Sequence, residues 1–550
     1  MLTNHEEMGP WAQTIIRDRY AHTIGGQKET WAEIASRVAR NVMSAVDAPQ
    51  HLVQEITRII RERKFMPGGR YLAASGRRMH QTQNCVLLRA EDSREGWSRH
   101  YYQANMALMT GAGVGGEYSA VRPEFSPLKR TSGYASGPMP LIQGINEMGR
   151  AAKQGGSRRA AIWAGLKWWH TDAMKLVDSK NWDDDIRAKK ALDFNYPAPL
   201  DHTNISVGLD SGFFPAMSDA TNPQHGTAQS IYWRTVRNML ETAEPGFSID
   251  IGENEGEDLR NACTEVTSRD DSDICNLGSI NMARIHSLEE MRQVIELGTA
   301  FLLAGTIYSD VPYEKIAVVR EKNRRLGLGL MGLHEWLLVR GLKYGPSVEL
   351  QPYLEAYAQS TAIAATWADQ WGVSHPVKTR AIAPTGTIGI AAETTTGLEP
   401  IFCAAVKRRY YDHGVWRYQM VVDPTARRLM EMGIDADKIE DAYSLSEDVE
   451  RRLSFQAWTQ GYVDHAISST INLPAWGTPQ NNADTVQSFG ETLLRYLPRL
   501  RGITCYPDGS RGGQPLTPVD IREALKFEGQ VFTETAGDVC SLRGGGSCGA

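Results

Sequence analysis

The sequence lacks any apolar run near the roughly 18 residues that a membrane-spanning helix requires, so we expect no membrane partner. Seven cysteines in 550 residues are too few, and odd in number, for a disulfide scaffold, which favours a reducing, cytoplasmic location. Positive charge is not in excess, because 59 basic and 65 acidic residues give a net charge of −6, which argues against nucleic acid as a partner. The polar, acidic N-terminus does not resemble a secretory signal.

The remaining composition, 41% hydrophobic and 23% charged, is typical of a globular protein. Residues 1–65 are predicted to be helical, since Leu52, Val53, Ile56, Ile59 and Ile60 recur at helical spacing. From about 66 to 420, short apolar runs alternate with helix-like stretches at 94–109, 141–152, 229–243, 287–307 and 353–371. This alternation predicts an α/β fold with a parallel sheet, most readily a barrel. Further on we expect helices over most of 421–500, a strand at Gly502–Tyr506 and a helix within 517–527.

Three short motifs are poor guides to function. Gly111, Gly113 and Gly116 spell GxGxxG, but a helix-like stretch precedes them and an extended one follows, the reverse of a dinucleotide site. His334-Glu335 opens like a zinc-protease motif, yet Leu338 stands where the second histidine is required. The run 407–411, three basic residues and two tyrosines, is interpreted as a solvated basic turn rather than a nucleic-acid contact.

The segment 261–265, Asn-Ala-Cys-Thr-Glu, carries more chemistry. If it is extended, Asn261, Cys263 and Glu265 point to one face and present an amide, a thiol and a carboxyl together. Such a set suits proton and hydrogen-atom transfer, whereas a lone buried cysteine is the simpler alternative. Cys275 follows twelve residues later, without the CxxC spacing of a zinc site or a nearby histidine for papain-like chemistry.

A second candidate is the turn 383–388, Ala-Pro-Thr-Gly-Thr-Ile. If a helix starts here, backbone N–H groups beside Pro384, Thr385, Gly386 and Thr387 favour a phosphate group. A simple loop with a threonine cap explains the same residues equally well.

Taken in order, these segments resemble the catalytic subunit of ribonucleotide reductase. The resemblance covers about 65 to 515 and rests on NACTE (261–265), CNLGSINM (275–282), RRLGLGLMGLHEW (324–336), APTGTI (383–388) and GLEP (397–400), with support from 66–76 and 84–93. It implies a ten-stranded α/β barrel of two antiparallel halves with a central finger loop. The implied divisions are a helical region at 1–65, the barrel at 66–530 and a flexible cysteine-containing tail at 531–550.

The resemblance also implies catalytic roles. Cys263 corresponds to the thiyl-radical cysteine that removes the 3′-hydrogen of the ribose, and Glu265 to the general base at the 3′-hydroxyl. Asn261 would hydrogen-bond the sugar. Cys85 and Cys275 would form the dithiol that reduces C2′ and becomes a disulfide.

Nucleotide sites are implied in the same way. The turn Pro384–Thr387, with Asn84, would hold the phosphates of a ribonucleoside di- or triphosphate. A deoxynucleoside triphosphate effector (dTTP, dATP or dGTP, with Mg²⁺) would bind at a homodimer interface, its sugar at Asp92 and its phosphates at Arg122 and Lys129 or Arg130. The stretch 193–202 would pass base identity to the active site. Residues 1–65 are too few for the family's usual ATP-binding module.

Two departures from the family pattern leave alternatives open. Tyr506 is followed by Pro507 where relatives with a separate radical-generating subunit carry a second tyrosine, which favours adenosylcobalamin as radical source. The chain is nevertheless short for that class, so a separate di-metal subunit remains an alternative.

In the tail, Cys540 and Cys548 fit a shuttle that re-reduces the dithiol with a thioredoxin or glutaredoxin-type partner, but seven residues separate them instead of two or four.

Two other functions are compatible with nucleotide binding: an inactive regulatory relative, and a thiol enzyme acting on a different substrate. An inactive relative would be expected to lose the thiols or the acid, yet Cys85, Cys263, Cys275 and Glu265 are all present.

Overall fold

A large mixed sheet forms the centre of the fold. The computed structural model describes residues 8–152, 160–193, 196–412, 415–510, 516–528 and 530–533. Five consecutive strands of this sheet run parallel, namely Cys85–Arg89, Gly113–Glu117, Ile162–Lys167, Thr203–Asp210 and Gly246–Asp250. Parallel neighbours require crossover connections, and helices supply them. These are Arg94–Met109, Met139–Ala151, Ala173–Asp178, Asp184–Leu192, Phe213–Ser218 and His225–Thr242. The α/β prediction with a parallel sheet is confirmed.

Further strands extend this sheet at both edges. Asp273–Ile274 lies antiparallel to Cys85–Arg89, and Gly502–Pro507 lies antiparallel to Gly246–Asp250 and parallel to Thr470–Leu473. A smaller sheet contains Leu277–Asn281 parallel to Gly327–Met331 and antiparallel to Phe65–Pro67. Two isolated β-bridges, Leu328 with Arg380 and Ile382 with Ile467, lead from this smaller sheet towards the Thr470–Leu473 strand of the large sheet.

Most of the helices that follow the Leu277–Asn281 strand pack around the smaller sheet and the Thr470–Leu473 edge of the large sheet, whereas Glu314–Asn323 packs at the opposite edge of the large sheet, near Asp273–Ile274. The helices concerned are Leu288–Tyr308, Glu314–Asn323, Leu333–Val339, Gln351–Ala358, Ser360–Trp371, Gly386–Ala392, Val449–Gln460 and Val486–Tyr496. The single helix predicted over 353–371 is divided at Gln359. There the Ala358 carbonyl accepts a hydrogen bond from Arg380 (3.0 Å), a side chain from outside the helix.

The described residues before the sheet form Pro10–Arg19, Trp31–Met43 and Gln50–Arg61 helices with a small Thr23–Ile24 and Gln27–Lys28 hairpin. Thr30 and Glu33 form a reciprocal capping box at the second helix. Of the apolar residues spaced helically in the third, Leu52, Ile56, Ile59 and Ile60 are buried and Val53 is partly buried. They pack in one core with the Leu288–Tyr308 helix.

The C-terminal part departs from the sequence predictions. Ala405–Asp412 and Val415–Val422 form an antiparallel hairpin flanked by Leu516–Pro518 and Val531–Thr533, so the basic run 407–411 lies in a strand and not in a turn. The helix expected within 517–527 is Ile521–Phe527, because Asp520 accepts the N–H groups of Arg522 and Glu523 as its cap. Among the described helices, none is long and apolar enough to cross a membrane.

Candidate active site

A short hairpin carries the segment singled out at 261–265. Leu259–Arg260 pairs antiparallel with Thr267–Ser268, and 261–266 form the turn between them. Within the turn, Thr264 N donates to Asn261 O (3.0 Å) and Thr264 adopts a left-handed conformation with φ of 69°. The expectation of an extended segment is therefore wrong, because the chain must reverse direction between two two-residue strands.

This hairpin lies directly against the Gly113–Glu117 strand. A Cβ atom at Gly115 would lie 1.8 Å from the carbonyl oxygen of Arg260, and one at Gly113 would lie 3.0 Å from Cys85 Sγ and from Ala262 Cβ. Glycine is required at position 115 for the close approach of two backbones, and the space at Gly113 is tight. Gly113 and Gly116 of the GxGxxG run lie in this strand and Gly111 lies in the turn before it, so the run lacks the strand–turn–helix context of a dinucleotide site. Gly115 was not singled out from the sequence, although the density of glycines was a usable signal.

The structure brings Cys85 and Cys275 together. Cys275 N donates to Cys85 O (2.9 Å), and the two thiols are close enough to hydrogen-bond. Burial, and then the neighbouring Cys85 thiol, raise the pKa of Cys275 well above its ordinary value. Both residues are buried, with 7% and 0% of their surface exposed, whereas Cys263 at the turn is partly exposed.

Glu265 is buried beside these thiols. Burial raises its pKa to about 8, the nearby Cys85 adds to the rise, and the Asn261 amide opposes it. Asn261 Oδ1 accepts from Val266 N (3.0 Å), which fixes this amide in the turn. Asn84 links the same strands, since its N–H donates to Cys275 O (3.2 Å) and its carbonyl accepts from Gly113 N (2.9 Å).

Three buried polar atoms at this site have no hydrogen bond of good geometry within the described residues: Asn84 Oδ1, Asn261 Nδ2 and Glu265 Oε2. Buried polar groups are normally paired, so such a group of unpaired atoms indicates a place for a polar ligand or ordered water. The arrangement offers an acceptor, a donor and a protonatable carboxyl near the paired thiols of Cys85 and Cys275, and the donor and the carboxyl lie in the turn that also carries Cys263.

The turn 383–388 begins a seven-residue helix, Gly386–Ala392. Thr385 adopts φ of 49° and its hydroxyl accepts from Gly397 N (2.8 Å), so this threonine does not cap the helix with its side chain. Pro384 and Gly386 are exposed, Thr387 is partly exposed and Thr385 is buried. The first-turn N–H groups at Gly386 and Thr387 have no carbonyl partner inside their own helix.

The predicted effector residues lie beyond the end of the Cys85–Arg89 strand. Arg122 Nε and Asp92 Oδ2 form an ion pair at 2.7 Å, with both side chains partly exposed. Lys129 is exposed. In the stretch 193–202, Asp201 pairs with Arg150 (2.6 Å) and Lys190 (2.7 Å), while residues 194 and 195 lie outside the described part of the chain.

The other predicted residues are placed as follows. Tyr506 is partly exposed in the Gly502–Pro507 strand, whereas Cys505 and Cys403 are buried. His334 is buried and accepts from Ile401 N (3.0 Å).

Cys540 and Cys548 lie outside the described residues, and within those residues no group of histidine, cysteine and acidic side chains could hold a metal ion.

Comparison with known proteins gives a consistent result. The family described as ribonucleotide reductase, barrel domain, matches residues 83–224 and 217–366, just over half of the chain. A vitamin B12-dependent ribonucleoside-diphosphate reductase of Mycobacterium tuberculosis is 27% identical over 96% of this chain and 82% of its own length. A protein of the same name from Thermoplasma acidophilum is 25% identical over 85% of this chain and 66% of its own.

A third relative matches almost end to end. It is a putative adenosylcobalamin-dependent ribonucleoside-triphosphate reductase of Mycobacterium phage D29, 23% identical over 98% of both chains. The ordered motifs, the paired thiols beside Glu265 and the family match over residues 83–366 agree. The chain belongs to the ribonucleotide reductase family, as a catalytic subunit.

Proposed function

We propose that this chain reduces ribonucleoside di- or triphosphates to 2′-deoxyribonucleotides by thiyl-radical chemistry. The observation that carries the proposal is the unequal placement of three thiols, with Cys263 partly exposed on a turn and Cys85 and Cys275 buried in contact beside Glu265. One exposed thiol suits radical transfer, and a buried pair suits a two-electron reductant.

The residues divide the chemistry as follows. The Cys263 thiyl radical takes the 3′-hydrogen atom of the ribose. Glu265 acts as base in its ionised form, the minor form at neutral pH for a pKa of about 8: it accepts the 3′-hydroxyl proton and returns it to the 3′-oxygen before product leaves. The 2′-hydroxyl leaves as water with a proton from the thiol pair. Cys85 and Cys275 supply the two electrons and deliver their second hydrogen to C2′, so that they end as a disulfide, and Cys263 then returns its hydrogen atom to C3′. Asn261 holds the sugar.

A ten-stranded barrel with the hairpin as its central finger loop accommodates this chemistry. The bridges Leu328–Arg380 and Ile382–Ile467 support it, since they relate the smaller sheet to the edge of the large one. Substrate phosphates would bind at Pro384–Thr387 and near Asn84, where first-turn N–H groups and an unpaired Asn84 Oδ1 are found. We retain the division into residues 1–65, 66–530 and 531–550.

Adenosylcobalamin is the radical source we favour over a separate di-metal subunit. Two observations support it: the names of the relatives, and Pro507 in place of a second tyrosine after Tyr506. The partly exposed Cys263 fits such a group, which would be held near Cys263 and Tyr506. When bound, it supplies an organic radical able to remove the thiol hydrogen of Cys263.

Regulation and re-reduction complete the proposal. A dNTP effector with Mg²⁺ would bind Asp92, Arg122 and Lys129 in a homodimer, where the 2.7 Å ion pair already gathers an acid and a cation. Cys540 and Cys548 would carry reducing equivalents from thioredoxin or glutaredoxin to the dithiol. An inactive regulatory relative is the less favoured alternative, because it has no need of the Cys85–Cys275 contact.

The test is reduction of CDP and CTP by the purified chain with dithiothreitol. We expect deoxynucleotide formation with adenosylcobalamin and none with hydroxocobalamin, which lacks the adenosyl group. Activity that requires an added di-metal subunit instead would overturn the cobalamin assignment. If no product forms with adenosylcobalamin and none forms with an added di-metal subunit, the regulatory alternative is favoured.

A further inference from the structure

Two consecutive carboxylates, Glu257 and Asp258, immediately precede the hairpin that carries Cys263. Glu257 is 2% exposed, and Asp258 has 14% of its side chain exposed. Carboxylates are seldom buried without a charged partner, and here Glu257 has three cationic partners and Asp258 has two. The partners of the two residues come from different parts of the fold.

Glu257 is bound by three cations, each of which lies just before a strand or bridge: two at the smaller sheet and one at the Gly502–Pro507 strand of the large sheet. Arg325 Nη1 lies 3.2 Å from Glu257 Oε1, Arg501 Nη2 lies 3.7 Å from Oε2, and Lys378 Nζ contacts Oε2 directly. Arg325 precedes Gly327–Met331, Lys378 precedes the bridge at Arg380, and Arg501 precedes Gly502–Pro507.

Glu257 also holds the returning strand of the hairpin. The Thr267 hydroxyl donates to Glu257 Oε2 (2.8 Å). Burial alone would raise the pKa of Glu257, but Arg325 and Lys378 outweigh burial and lower it to about 2, so the carboxylate is charged at neutral pH.

Asp258 is bound by cations at the ends of two parallel strands. Arg89, the last residue of Cys85–Arg89, donates from both terminal nitrogens, to Oδ1 at 2.5 Å and to Oδ2 at 3.1 Å. Lys167, the last residue of Ile162–Lys167, lies 4.0 Å from Oδ2 and 2.5 Å from Asp250 Oδ2. A two-point arginine–carboxylate contact fixes orientation as well as distance.

We propose that Glu257 and Asp258 act as positioning residues that clamp the base of the hairpin between the two parts of the sheet structure and so set how far Cys263 projects. The proposal rests on the proposed function, in which Cys263 must meet the 3′-hydrogen of the substrate. Hydrogen-atom transfer requires reacting atoms in close, oriented contact, and a displacement of about 1 Å can cost about 100-fold in rate.

Glu257→Gln and Asp258→Asn test the clamp, because each removes a charge and keeps the shape. Glu253→Gln is the matched control, since Glu253 is exposed in the turn four residues before Glu257. We expect kcat for CDP or CTP to fall about 10- to 100-fold in both variants while KM stays within about twofold. The control should retain wild-type values.

A second measurement does not need turnover. Iodoacetamide labelling with peptide mapping should show Cys263 alkylated several times faster in both variants, with the rates of Cys85 and Cys275 unchanged. Wild-type kcat and wild-type Cys263 labelling would overturn the proposal, as would equal acceleration at all three cysteines, which indicates general loosening.

The two proposals fail separately. If the wild-type chain reduces no nucleotide, the proposed function is overturned, and the labelling of Cys263 still decides whether the clamp exists. If Glu257→Gln does not fold, Asp258→Asn decides, because Asp258 and its partner Arg89 are both partly exposed.

Discussion

Three cysteines of identical covalent structure have different surroundings in this protein. Cys275 is fully buried against Cys85, which keeps its thiol protonated at neutral pH, and Cys263 alone among the three is partly exposed. Thiolates, and not thiols, are nucleophiles, so the protonated Cys275 thiol is protected from side reactions before substrate binds. Burial therefore distinguishes the proposed reductant, Cys85 with Cys275, from the proposed radical carrier, Cys263.

Replacement of Cys263 tests the radical carrier. We expect Cys263→Ser to lose deoxynucleotide formation below detection, because a serine O–H bond is much harder to convert to a radical than a thiol. Product is measured by chromatography after incubation with CDP or CTP, adenosylcobalamin and dithiothreitol. Cys403→Ser is the control, since Cys403 donates to the Ala405 carbonyl (3.0 Å) and is not one of the proposed catalytic residues. Turnover by the Cys263 variant would contradict the assignment.

Glu265 gives a prediction about stability. Its pKa rises from near 4.5 to about 8 on folding, so between these values the native state binds a proton that the unfolded state has released. Stability then falls as pH rises from about 4.5 to about 8. Glu265→Gln does not titrate, so its free energy of unfolding relative to wild type should increase across that window in urea titrations. A pH-independent difference would contradict the burial of this acid.

At the scale of elements, the hairpin and the glycine strand depend on each other. The turn 261–266 packs on Gly113 and Gly115 with no room for a side chain, so the position of the reactive thiol is set by two backbones in contact. A backbone contact has less freedom than a contact between long side chains, which suits a group that must be held within a fraction of an ångström.

Gly115→Ala should displace the hairpin. The added Cβ would lie 1.8 Å from the Arg260 carbonyl oxygen, so the strand or the hairpin must move. We expect at least a 100-fold loss of activity together with a lower melting temperature, measured by reductase assay and calorimetry. In the control Gly226→Ala, the new Cβ meets nothing within 4 Å in the His225–Thr242 helix, and stability should be unchanged or slightly higher. Wild-type activity in Gly115→Ala would contradict the packing.

Helices with clear apolar spacing were predictable from the sequence. The stretches 94–109 and 287–307 correspond closely to Arg94–Met109 and Leu288–Tyr308. Predictions failed where a distant partner decides the local structure. At Gln359 the predicted helix is divided, and Arg380 donates a hydrogen bond to the preceding carbonyl. At 261–265 the predicted extended segment is a turn between two short strands. Arg380 and Gly115 are remote in sequence from the residues they affect, so the spacing of apolar residues in those segments cannot predict their effect.

At the scale of the whole molecule, the site is assembled from segments far apart in the chain. Motif resemblance led to Cys85, Cys263, Cys275 and Glu265, and the structure places Cys85, Cys275 and Glu265 close together. The clamp at Glu257 and Asp258 could not be found in this way. Its partners, Arg89, Lys167, Arg325, Lys378 and Arg501, become neighbours only when the strands align.

The proposed effector site should control affinity for deoxynucleoside triphosphates. We expect Asp92→Ala to weaken dTTP binding by about 1.5–3 kcal/mol, the usual range for a hydrogen bond to a charged group, and to reduce the effect of dTTP on base selection. Isothermal calorimetry measures the affinity. Glu91→Ala is the control, because Glu91 is exposed and pairs with Arg99 instead (3.1 Å). Unchanged dTTP affinity in Asp92→Ala would remove this residue from the site.

The tail should be needed only for protein reductants. Truncation after Asp538 removes Cys540 and Cys548, and we expect turnover with thioredoxin to stop after one cycle while dithiothreitol, a small diffusible thiol, still supports activity. The double variant Cys540→Ser with Cys548→Ser should behave in the same way, which separates the thiols from the length of the tail. Normal thioredoxin-driven turnover by the truncated chain would show that the tail has no part in re-reduction.

The order of strands in the large sheet has a consequence for synthesis on the ribosome. One edge of Gly246–Asp250 pairs with the preceding strand, Thr203–Asp210, but its other edge pairs with Gly502–Pro507, about 250 residues later in the chain. Until residue 507 has been translated, this edge presents unpaired N–H and C=O groups beside apolar surface, the usual template for contacts between nascent chains. Production of the intact protein therefore depends on how long the growing chain is shielded, and slow translation between these two strands lengthens the period of exposure.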